Sequence, residues 1–531
     1  MVLYPSCIKN YILNDPLIDY LQGCPEYSIK KEKKSKYTSY LESKKYKFTL
    51  ECIAYFKEQY TKEETIDLSL EVNLKKKCEK TKLALNNTYV NCIIYGGLSN
   101  GKYSAIPEVL IRQGKYFFVV EIRFMTCHFC QDSITLRNSD YLWYCKTHLY
   151  FINSLLPNPQ NIGYLAVRKE GNISYKEQLL TITFNIAIKT KYKDGIEWID
   201  RLEKNSGKWK LNPPSVRELY PNMKVKNEEW DSFKNELAIQ LKEISLVWNI
   251  TIKQRQHLHK NNIYSWDHPK LFQTLQTKKS FSKTLGIQRQ FIYTNTKQGD
   301  TKPTINNQIN KDILSYKPPV ELFVDFETVM DLDENSVNCH VNMTFMIGVI
   351  VLENGKSYYK DFTVSRLTDV QENLMFRRFI DYVSRIANKH KIAIKDIPIY
   401  HWSPAEKSFY KTAQKRHKLP SMNYFNWVDI YQIFKSEPIT LKNAWTFGLK
   451  NIAKVLYSQG EIKTTWSMED SASDGPDAMV RVIKLNEIAQ EKNIPLKRLE
   501  DMFQIITYNY VDCQVLLEIL ECLRKIKIEN T

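Results

Sequence analysis

Glycine is scarce, with 16 in 531 residues, while lysine and asparagine abound. That pairing suits an AT-rich genome, so part of the basic excess is compositional. No internal repeat and no low-complexity tract occurs, which leaves out solenoids and biased-composition segments. No apolar run reaches the roughly 18 residues a membrane helix needs, so no membrane partner is expected. The opening "MVLYPSCIKNYILNDP" has neither a continuous apolar core nor a small-residue cleavage site, and is not expected to be a signal peptide. Cysteine is present but odd in number, eleven and mostly scattered. Reduced thiols in an intracellular protein are the expected state.

What is there is charge of one sign. The formal net charge is +17, against an ordinary 43% hydrophobic and 25% charged content. An excess of this size favours polyanionic partners, nucleic acid first. A lysine-rich solvated surface is the plainer reading of the same number. The length predicts two or three domains, each able to bury its own core.

Apolar patterning predicts a helix in "KFTLECIAYFKEQY", strands in "VNCIIYGGLSN" and "KYFFVVEIRF", and a helix in "SDYLWYCKTHLYFINSLL". "WDSFKNELAIQLKEISLVW" has Phe233, Leu237, Leu241, Ile244 and Val247 at helical spacing. The polar stretch "TNTKQGDTKPTINNQINKD" reads as a linker. A second α/β block starts at Pro318, with strands near 321–326, 344–352 and 397–402 and a helix holding "TYNYVDCQVLLEILECLRKI". The division expected is 1–200, a connector over 201–316, and 317–531.

Within "ELFVDFETVMD", Asp325 and Glu327 are two apart and share one face of a strand. Like charges on a mostly apolar strand are costly unless neutralised. A divalent cation does that, and carboxylate oxygens suit Mg²⁺ or Mn²⁺. Later elements offer further acids: Glu406 in "HWSPAE", Asp429 in "FNWVDIYQIF", and Asp512 one helical turn after Tyr508 in "YNYVD". At "DFET" and "Y-x-x-x-D" this block resembles the DEDD 3′–5′ exonucleases of the ribonuclease H-like superfamily. The resemblance implies two-metal-ion phosphodiester hydrolysis, with Asp325, Glu327 and Asp512 as ligands and Tyr508 positioning the nucleophile. The family's second motif departs here, with Glu406 favoured as the ligand and Asp429 its rival.

The first block carries Pro107-Glu108 and Glu121-Ile122-Arg123 across a strand-turn-strand gap. This resembles the PD-(D/E)xK nuclease core of RecB-family and restriction-endonuclease-like folds. Glu51 then fits the upstream helical acid, Glu108 and Glu121 the metal-holding pair, and His148 a position often occupied by glutamine. Arg123 stands where lysine is usual and is too basic to act as a neutral base. A weakened nuclease and a degenerate DNA-binding relic both remain open. Over nearly the whole chain, the arrangement resembles a RecB-family nuclease fused to a ribonuclease H-like module, as found in bacteria and large DNA viruses. It implies DNA processing in repair, recombination or genome maturation, in the cytoplasm or nucleus of a host cell if the source is viral.

Cys127, Cys130, Cys145 and His148 form C-x2-C-x14-C-x2-H, a spacing that suits structural Zn²⁺. The same residues also suit buried thiols beside the RecB-like helix. Lysines cluster in "SIKKEKKSKYTSYLESKKYK" and, with aromatics, in "KKSFSKTLGIQRQFIYTNTK". Both suit strand tracking and base stacking, or simply solvated loops.

Overall fold

The computed structural model describes residues 2–130, 133–135, 139–169, 179–275, 283–296, 311–330, 343–436, 438–466 and 475–529. Residues 297–310, most of the expected linker, lie outside that description. The fold is mixed α/β, in two units: Met1–Lys34 with Thr38–Glu243, and Ser35–Tyr37 with Ile244–Thr531. The connector expected over 201–316 is therefore shared between them. The helix expected through Val247 runs only over Asp231–Gln240. Lys242 turns left-handed (φ 52°), and the Glu243 N–H closes back on the Ala238 carbonyl at 2.8 Å. Apolar spacing continues past this cap, and periodicity alone does not register a terminus of that kind.

In the first unit the strands are β1 (Thr65–Asp67), β2 (Cys92–Ile94), β3 (Leu98–Ser99), β4 (Ser104–Ala105), β5 (Val109–Gln113), β6 (Tyr116–Cys130), β7 (Ser133–Thr135), β8 (Ile162–Lys169) and β9 (Leu180–Thr183). Among the described residues they form a sheet in the order β1-β2-β5-β6-β8-β9, with β7 on β6 and a separate β3-β4 hairpin. Over residues 117–122 strand β6 is buried on both faces. Phe117 and Val119 join one apolar cluster with Cys145 and Leu149 of the helix Ser139–Asn153, while Phe118, Val120 and Ile122 join another with Phe48 and Cys52. Period-two alternation then assigns Glu121 and Arg123 to the face of Phe117 and Val119.

The second unit has β10 (Val320–Val329), β11 (Met343–Glu353), β12 (Lys356–Thr363), β13 (Pro398–His401) and β14 (Asn426–Asp429). Their order is β12-β11-β10-β13-β14. Strand β10 runs antiparallel to β11 and parallel to β13, which is parallel to β14. The apolar run Leu322–Val324 is fully buried at the sheet's centre, as a strand covered on both faces must be. The lysine-bearing β12 forms a polar edge.

The helix Glu500–Glu529 packs on β10 and β11, and two of its contacts with the sheet bear on the acids. Near its end, Arg524 donates to both oxygens of buried Glu321 at 2.6 and 3.0 Å, and the Tyr400 hydroxyl adds a bond at 3.0 Å. Leaving Glu321 buried without its guanidinium would cost roughly 3–5 kcal/mol. Nearer its start, buried Asn509 lies over Gly348, the residue opposite Asp325 in the β10–β11 register. A Cβ at Gly348 would lie 1.5 Å from Asn509 Oδ1. Only glycine lets the helix come this close.

Gly348→Ala should therefore displace Asn509, destabilise the second unit by about 1–3 kcal/mol and weaken divalent-cation binding. Denaturant unfolding and calorimetric titration with Mg²⁺ measure the two effects. The double variant with Asn509→Ser should recover stability but not cation affinity. Unchanged values in Gly348→Ala would contradict the close approach.

Candidate metal centre

Asp325 and Glu327 project from β10, and Asp512 from the helix Glu500–Glu529. Each offers an oxygen lying within 4.8 Å of the other two. Asp325 is half-buried, while Glu327 and Asp512 are buried. The pairing with β11 shifts register between Glu327 and Thr328, just past the second acid. Such an irregularity re-aims side chains locally. The Asn509 amide donates to Asp325 Oδ2 at 2.7 Å and to the Asp325 carbonyl at 3.3 Å, and touches Glu327 Oε1 at 3.5 Å. The Trp466 indole N–H donates to Asp512 Oδ1 at 3.1 Å. Tyr508 lies one turn before Asp512 on the same helix, and its hydroxyl is pushed far above the normal tyrosine range, by burial first and then by the neighbouring acids.

Glu406 lies beyond β13, at the start of the helix Ala405–His417. It is buried, and its charge is felt at both Asp325 and Asp512. His401 Nδ1 lies 3.3 Å from Glu406 Oε2 and 2.7 Å from the Ser403 carbonyl. The helix is anchored at its far end, where Arg416 and His417 meet buried Glu372, whose Oε1 also accepts from Thr344 N–H at 2.7 Å. Asp429 instead accepts from the Ser403 N–H at 2.9 Å, bracing the turn before Glu406, where Ser403 is left-handed. Glu406 follows the carboxyl end of β13 and Asp429 closes β14, the end of the parallel strands at which open α/β sheets place ligands.

The electrostatics follow from crowding acids in a dry place. Burial, then repulsion from Asp512, Glu327 and Glu406, pushes Asp325 well above the usual carboxylate range. Glu327 is raised to about 8, by burial and then Asp512, against Asn509 and Lys450. Burial raises Asp512 to about 7, against Lys450, Tyr508 and Trp466. Glu406 is also raised, by burial first, with His401 opposing. A divalent cation offsets all of these penalties at once, and a set of carboxylate oxygens suits Mg²⁺ or Mn²⁺.

The acids of the first unit are arranged differently. Arg123 lies between them, donating to Glu121 Oε1 at 2.9 Å and to Glu108 Oε1 at 3.4 Å. Its guanidinium is also 3.1 Å from His148 Nδ1, and His148 pairs with Glu121 as well. Burial works to raise Glu121, but Arg123 and His148 outweigh it and hold this carboxyl low. Glu108 is raised by burial despite Arg123. Glu51 lies 4.0 Å from Lys47 on its own helix. The spread sequence positions 108, 121, 123 and 148 are thus brought together, with a protein cation already among the acids.

The side chains of Cys127 and Cys130 lie outside the described ones. Cys145 is buried, and His148 is engaged with Glu121 and Arg123. In the second basic cluster, residues 283–296 form a helix, and 278–282 and 297 are outside the description. Among the described residues no helix is long and apolar enough to cross a membrane.

Three groups at the acid cluster have no counterpart in the sequence reading. Asn509 lies in the same "YNYVD" motif, and its i, i+3 relation to Asp512 is the signal that would have found it. Lys450 and Trp466 are far away in sequence, and no local pattern marks them. No protein-family model matches the chain, and no curated protein matches it.

Because folded Glu327 and Asp512 keep protons at a pH where the unfolded chain has lost them, the metal-free protein loses stability as pH rises from roughly 4 towards 8. A cation must displace those protons. Mg²⁺ affinity should therefore climb between pH 6 and 8, with proton release. Calorimetry in buffers of different ionisation enthalpy reads both; pH-independent binding without proton release would contradict the electrostatics.

Proposed function

We propose that the chain is a divalent-metal-dependent nuclease that hydrolyses phosphodiester bonds of nucleic acid, with its reaction centre in the second unit. The observation that carries this reading is the convergence of Asp325, Glu327 and Asp512 to within 4.8 Å, with their charges otherwise poorly compensated. Asp325, Glu327 and Asp512 would hold Mg²⁺ or Mn²⁺, with Glu406 a further ligand. Bound there, the cations would supply an activated water and neutralise charge at the departing oxygen. Asn509 and Trp466 hold the carboxylates in orientation, the task of outer-shell partners in metal sites. Tyr508, kept protonated, is placed to hydrogen-bond and orient the attacking water. Asp429 braces the turn that presents Glu406, so of the two sequence candidates Glu406 is the better placed. The resemblance to the DEDD exonucleases extends the proposal to 3′–5′ exonucleolytic attack on DNA, in a ribonuclease H-like domain.

For the first unit we favour a RecB-like domain that binds nucleic acid without cleaving it. Arg123 between Glu108 and Glu121 supplies the positive charge that a catalytic cation would bring. The +17 net charge supports a nucleic-acid partner for the whole chain.

The test is an assay on end-labelled single- and double-stranded DNA and RNA with Mg²⁺ or Mn²⁺, comparing wild type with Asp325→Ala and Glu121→Ala. Stepwise 3′ shortening should be lost in Asp325→Ala, by about a thousandfold or more, and kept in Glu121→Ala. Cleavage lost only in Glu121→Ala would move the reaction to the first unit. Absence of cleavage by wild type on every substrate would favour a nucleic-acid-binding scaffold.

A further inference from the structure

We infer that Lys450 is a substrate-binding residue of this centre, contacting the phosphate of the terminal nucleotide. The inference rests on the nuclease reading above and goes beyond it by naming a residue and the group it recognises. Lys450 occupies the first turn of the helix Leu449–Ser458, and its ammonium is 5.2 Å from the Tyr508 ring centroid and 5.6 Å from that of Trp466. Trp466 donates to Asp512, and Tyr508 lies one turn before Asp512 on the same helix. Two aromatic faces thus hold the cation at the rim of the acid cluster, close enough to favour the charged forms of Glu327 and Asp512.

The charge balance assigns it a task. Four carboxylates and two divalent ions cancel. The phosphodiester then brings a further negative charge, so the filled site would be net negative before any lysine is counted. An ammonium at the rim meets this need with hydrogen bonds to a non-bridging oxygen. The helix carrying Lys450 opens at Gly448 without a side-chain cap, so its dipole adds positive potential at the same residues.

The test uses the full-length protein and two calorimetric titrations, first with Mn²⁺ and then, on the Mn²⁺-loaded protein, with thymidine 5′-monophosphate. Lys450→Ala should change Mn²⁺ affinity only slightly, through the protons of Glu327 and Asp512, and weaken the nucleotide on the order of tenfold to a hundredfold. Lys450→Arg should recover most of the loss. Equal nucleotide affinity in wild type and Lys450→Ala would overturn this inference and leave the metal centre standing. Loss of Mn²⁺ binding in Lys450→Ala would make the lysine a structural part of the site and also overturn it. If wild type itself binds no Mn²⁺, the nuclease reading falls, and this inference with it.

Discussion

The second unit depends on how closely one helix can lie on one strand. Asn509 lies over Gly348, in space that any Cβ would occupy, and its amide reaches Asp325 and Glu327 on the neighbouring strand. The same helix carries Asp512 less than one turn further on, and the Arg524–Glu321 pair fixes its far end to the start of β10. Two anchors along one helix set both its height and its rotation above the sheet. That placement brings Asp512 to Asp325 and Glu327, with oxygens of all three within 4.8 Å of one another.

The two units treat buried acid in opposite ways. In the first, Glu121 and Glu108 meet an arginine and a histidine, and the cluster supplies much of its own countercharge. In the second, the acids repel one another and stand raised, with Asn509, Trp466, Tyr508 and Lys450 giving partial relief. Buried like charges are tolerated where function asks for them, and a site under such strain is the better candidate for a cation. A self-neutralised site binds a second cation poorly, since that ion must displace a guanidinium that cannot lose its proton.

Much of the second unit was legible from local sequence. The apolar run before Asp325, the period-two spacing of Asp325 and Glu327, and the four-residue spacing of Tyr508 and Asp512 are all local signals, and strands and helix fall near their expected bounds. Gly348 was not legible as a contact, because a glycine in an apolar strand has no local signature of what approaches it. Lys450 and Trp466 are placed by tertiary packing alone. In the first unit, sequence spacing suggested the Glu108–Glu121 pair, but only geometry places the Arg123 guanidinium between the acids. The Asp231–Gln240 helix is shorter than expected because a left-handed cap at Lys242 can stop a helix without breaking the apolar pattern.

The central claim is that the second unit's acids, and not the first unit's, form the cation site. Anomalous diffraction from crystals of the full chain soaked in Mn²⁺ locates the ions directly. The account predicts two peaks roughly 3.5–4 Å apart between Asp325, Glu327, Asp512 and Glu406, and none between Glu108 and Glu121. Density at the first unit's acids with none at Asp325 would contradict it.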